Sequence, residues 1–70
     1  MLEFYELQQG KIYECLSIRD AKPFFLIDLM EKSNYCFGIK ALTQNGIGFY
    51  VFSKRDKFRE ICEQCYVDIN

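Results

Sequence analysis

Four stretches rich in β-branched and aromatic residues, separated by connections of only four or five residues, constrain this chain most. They are 11–18, 24–30, 35–42 and 47–52. The segments between them are Arg19-Asp20-Ala21-Lys22-Pro23, Glu31-Lys32-Ser33-Asn34 and Thr43-Gln44-Asn45-Gly46. A crossover between parallel strands takes a dozen or more residues, so each stretch must pair antiparallel with the next. The expectation is a β-meander of four strands, before which Leu2-Glu3-Phe4-Tyr5-Glu6-Leu7 forms either an edge strand ending at Gln8-Gln9-Gly10, the preferred reading, or one helical turn.

Asn45-Gly46 is the strongest turn signal, and the loop built on it decides which side chains enter the core. A two-residue turn puts Phe49 beside Leu42 and Lys40. A three-residue loop with Gly46 left-handed puts Phe49 and Val51 beside Phe37, Ile39 and Ala41. The second is preferred because it gathers the apolar residues without burying Lys40, and Phe25, Ile27, Leu29, Ile12, Leu16 and Ile18 extend the same face.

The cover over that face is expected from residues 54–66, where Phe58, Ile61, Cys62, Cys65, Tyr66 and Ile69 recur at helical spacing. Ser53 is the expected N-cap, with Asp56 as the capping-box acid. The charges of this helix run backwards: Lys54, Arg55, Lys57 and Arg59 come first, Glu60, Glu63 and Asp68 last. That order opposes the helix dipole. The fold class is therefore α+β, an antiparallel meander or small SH3-like barrel packed on one C-terminal helix, with no family motif in the residues. Residues 1–70 make one domain, since a chain this short buries only about 60% of its unfolded surface.

One short helix covers one face, which leaves Tyr13, Cys15, Phe24, Leu26, Cys36, Tyr50 and Phe52 on the other. Either the sheet curls over part of them or a second chain meets them. Half the residues are hydrophobic and 17% aromatic, enough for a dense core. The net charge is −1, so no whole-molecule field draws the chain onto nucleic acid or an anionic membrane. No run is long enough to span a bilayer, and Glu3 and Glu6 stand where a signal peptide needs basic then apolar residues. The expectation is a cytoplasmic chain with no membrane contact.

Histidine is absent, which removes the commonest general base and a common metal ligand, and no phosphate-binding glycine loop is present. No catalytic residues and no cofactor are expected. Cys15, Cys36, Cys62 and Cys65 contain one Cys-x-x-Cys pair on an apolar helix face rather than the two knuckles of a structural zinc site, so they read as small core residues and no metal is expected. A redox role would need a thiol near a helix start, and Cys62 and Cys65 fall near its end.

The expected function is a non-catalytic protein-interaction module that binds a larger protein or a second copy of itself. Tyr13, Phe24, Leu26, Tyr50 and Phe52 would form the contact face, with Arg55 and Arg59 as an acidic-group clamp beside it. Few alanines, one proline and a free-standing length suit a phage or mobile-element regulator or inhibitor. The alternative is a small nucleic-acid-binding regulator, with Arg55, Arg59 and Lys40 on phosphates and the same aromatics on bases.

Overall fold

A computed structural model describes residues 1–63. A 3-10 turn at Phe4–Glu6 precedes five strands: β1 (Ile12–Cys15), β2 (Phe24–Glu31), β3 (Cys36–Thr43), β4 (Gly46–Ser53) and β5 (Phe58–Ile61). They form one antiparallel sheet in the order β4-β3-β2-β1-β5. The meander from β1 to β4 is as its short connections dictate. The fifth strand comes from the C-terminal side of the chain instead of its start.

Over residues 54–62 the expected helix is absent. Residues 54–57 form a turn and Phe58–Ile61 pairs with β1, Ile12 opposite Ile61 and Cys15 opposite Phe58. Residues 64–66 of the expected helix, with Cys65, lie outside the described residues. The local chemistry at Ser53 resembles a cap: its N–H donates to Asp56 Oδ2 at 3.1 Å, and its Oγ accepts from the Arg55 N–H at 3.1 Å. Here that pair closes a turn between β4 and β5. The backward charges are resolved with it, because Lys54 bridges to Glu31 at 2.9 Å while Lys57 pairs with Glu3 and Arg59 with Glu14. No helix dipole opposes them.

Flat, a sheet of this order would hold β4 and β5 roughly 19 Å apart, four steps of about 4.8 Å. Instead the rings of Phe52 and Phe58 stand 5.3 Å apart, so the sheet curls into a barrel-like wrap around its own side chains. A bulge in β2 helps: Leu26 faces Ala41 and Asp28 faces Lys40, which leaves Ile27 without a partner position. Such an insertion bends and twists the strand that carries it.

The core is Leu7, Tyr13, Cys15, Phe24, Leu26, Phe37, Ile39, Ala41 and Phe58, with Phe52 and Leu29 packed against it. On β3 this is the expected face, but on β1, β2 and β4 it is largely the opposite one. The β3–β4 turn has two residues, Gln44 and Asn45, between paired Thr43 and Gly46, so Phe49 stands opposite Lys40 and Phe52 opposite Phe37. A one-residue change in loop length exchanges every inward side chain for an outward one. Thr43 secures the short turn: its Oγ1 accepts from the Asn45 N–H at 3.1 Å and donates to the Gly46 carbonyl at 3.2 Å.

Residues 1–9 plug one end of the wrap rather than adding an edge strand. Phe4 stacks on Phe37 at 5.3 Å, Leu7 is buried, and Leu2 exchanges backbone hydrogen bonds with Phe58 at 2.8 and 2.9 Å. Among the described residues, no helix is long and apolar enough to cross a membrane.

Candidate functional site

The expected contact face is mostly interior. Tyr13, Phe24 and Leu26 are 1, 4 and 0% exposed, and Phe52 is half-buried, stacked on Phe24 at 5.9 Å and on Phe37 at 5.7 Å. These side chains are the core because the curled sheet encloses them, leaving Tyr50 as the part of that set accessible from outside. Arg55 is exposed in the turn. Without a helix it has no neighbour four residues on, and Arg59 on β5 is engaged by Glu14 of the adjacent strand.

The two edges of the sheet are built differently. β5 is four residues long, carries Arg59 and Glu60, and is bridged at Phe58 by Leu2. Short length, charge and a covering segment are the usual protections against edge-to-edge pairing. β4 has none of them. It runs for eight residues, Gly46-Ile47-Gly48-Phe49-Tyr50-Val51-Phe52-Ser53, without a charge or a proline, and no described strand pairs with its far side.

Its outward side chains are apolar and accessible, with Ile47 63%, Phe49 71% and Val51 64% exposed. Leu42, opposite Ile47, extends the patch. The cross-strand row Ile61, Ile12, Phe25, Leu42, Ile47 thus runs from a buried centre to an exposed margin at β4. Lys40 holds its ammonium 6.0 Å from the Phe49 ring centre, a weak cation–π contact, and the Lys32 chain lies over Gly38 next to Val51.

Behind the same strand a groove of about 340 Å³ opens at the hairpin end of the core. Tyr50, Val51 and Phe52 form its β4 wall, and Ile18, Ala21 and Lys22 of the β1–β2 connection stand opposite. Gly48 shapes it. A Cβ there would come within 3.0 Å of Tyr50 Oη and 3.2 Å of its ring, so the missing side chain is what lets the ring lie back along the strand.

Of the cysteines, Cys15 is buried, Cys36 half-buried and Cys62 exposed. Burial pushes the Cys15 thiol above its ordinary pKa, which keeps it protonated and unreactive. Among the described residues, no cluster of three His, Cys, Asp or Glu side chains is placed to hold a metal ion.

The exposed row Ile47, Phe49 and Val51 was not expected, because the longer turn placed Phe49 and Val51 in the core. The signal that finds them is the charge-free length of β4 at the end of a meander, where an edge must fall. No known protein family matches this chain, and comparison with curated proteins and with solved structures finds no match.

Proposed function

We propose that this protein is a small non-catalytic interaction module that docks on a protein partner by strand addition along β4. The observation that carries the reading is the contrast between the edges: a short, charged, bridged β5 and a long, uncharged, unprotected β4 with Ile47, Phe49 and Val51 facing outward. Unpaired N–H and C=O groups along such a strand supply main-chain hydrogen bonds to an extended segment, and the exposed side chains supply apolar contact.

The nucleic-acid alternative is less well supported. It needs aromatics free to stack on bases, and Tyr13 and Phe24 are inside the core.

Selection of a random peptide library against the intact protein tests the reading. Strand-forming peptides should be enriched on the wild type and lost on the combined variant Ile47→Thr, Phe49→Thr, Val51→Thr, which keeps β-branched residues on the solvent face. Equal enrichment on both proteins would count against β4 as the docking edge.

A further inference from the structure

Strand addition alone does not choose a partner, and the side chains around β4 supply the choice. Resting on the strand-docking reading above, we infer that the occupant is an extended segment of another protein carrying a bulky apolar residue flanked by carboxylates. The apolar side chain enters the groove between Tyr50 and Ile18, and carboxylates two residues to either side of it, on the same face, meet Lys22 at the rim.

Three observations carry this. The first is position: the groove shares Tyr50, Val51 and Phe52 with β4, so a strand laid on that edge turns alternate side chains toward it. The second is its lining, which is mostly apolar but includes the Lys22 ammonium, exposed at the rim.

The third is charge. Lys22, Lys32, Lys40 and Arg55 make no ion pair among the described residues. Of the nearby carboxylates, Glu31 is paired with Lys54, while Asp56 and Asp28 accept hydrogen bonds from neutral N–H groups and keep their charge, Asp28 directly opposite Lys40. Asp20 is the single acid of the β1–β2 connection and is not part of the groove lining. The groove lining holds Lys22 as its one charged residue and no carboxylate, which selects an acidic group at that rim. A second copy fits this rim poorly, because a β4 strand laid on β4 carries no carboxylate to place against Lys22.

The test uses the full chain and three synthetic peptides with one Val/Thr strand pattern and a central Leu, flanked two residues to either side, on the same face, by Asp, by Gln or by Lys. The Asp-flanked peptide should bind about threefold more tightly than the Gln-flanked one, the worth of one weak exposed ion pair. The Lys-flanked peptide should be weakest. Lys22→Glu should reverse the order, Tyr50→Ala should weaken all three, and β4 amides should be protected on binding. Equal affinities with β4 protected would overturn the acidic preference and leave strand docking standing. Absence of β4 protection with every peptide would overturn both. Peptide-free dimerisation lost in the triple Thr variant would make a second copy the occupant and overturn the inference. Salt-steep binding of a single-stranded oligonucleotide, abolished by Lys22→Glu, would assign the rim to phosphate instead.

Discussion

Phe52 and Phe58 meet edge to face with ring centres 5.3 Å apart, although their strands lie at opposite ends of the sheet order. Phe58 also contacts Phe24 at 6.3 Å and Phe37 at 5.9 Å, so one ring from β5 locks β2, β3 and β4 into the curl. The closure belongs to the packing, because no hydrogen-bonded ladder joins β4 to β5.

Phe58→Ala should therefore cost about 3–5 kcal/mol. A core this small rarely supplies more than about 3–5 kcal/mol in total, so most molecules should be unfolded at room temperature. Phe58→Leu should remain folded with a lower midpoint. Urea unfolding followed by far-UV circular dichroism measures both, and a Phe58→Ala midpoint equal to wild type would remove Phe58 from its closing role.

Tyr13 is fully buried, and its Oη accepts a hydrogen bond from the Gln8 N–H at 2.9 Å. Tyr13→Phe keeps the ring and deletes the acceptor, so stability should fall by about 0.5–1.5 kcal/mol. The amide exchange of Gln8 should accelerate while that of β3 stays slow. An unchanged Gln8 rate would contradict the bond's role in holding the N-terminal plug.

Gly46 has φ +97°, where a side chain is strained. Gly46→Ala should destabilise the hairpin by roughly 1–3 kcal/mol without altering the groove. Gly48→Ala acts elsewhere: it displaces the Tyr50 ring, so peptide affinity should drop more than stability does. Paired melting and binding curves separate the two glycines.

The raised pKa of Cys15 makes stability depend on alkaline pH. In the unfolded chain the thiol ionises near its ordinary value of about 8.5, while in the fold burial holds it neutral to higher pH. The stability this contributes is fully present below the unfolded value and is lost as pH rises from there through the folded value. Cys15→Ala should therefore show a shallower decline than wild type over that window. Matching declines in urea titrations would remove Cys15 as the source.

Strand positions were legible in the sequence because Pro23, Ser33-Asn34 and Asn45-Gly46 punctuate it, and the core face of β3 followed from Phe37, Ile39 and Ala41. The faces of β1, β2 and β4 were not legible, since Phe24-Phe25-Leu26-Ile27 is apolar on both sides. The bulge at Ile27 and the two-residue turn depend on pairing geometry that no local pattern expresses. Residues 58–61 fit a helical spacing because Phe58 and Ile61 stand three apart, yet the same pair also suits a short strand. The backward charges of Lys54, Lys57 and Arg59 were the available warning against the helix, and their carboxylate partners lie far away in sequence at Glu31, Glu3 and Glu14. Of the residues around β4, Tyr50 was among those expected at the surface. Ile47, Phe49 and Val51 were not, because a contact face was sought on the side that the curl encloses.

Hydrogen exchange resolved to single amides, recorded with and without the Asp-flanked strand peptide, bears most directly on β4 as the docking edge. Amides of β4 that point away from β3 should exchange rapidly in the free protein and slow at least tenfold when peptide is bound, with β5 unchanged. Protection centred on β5, or spread evenly over the sheet with none specific to β4, would contradict the account.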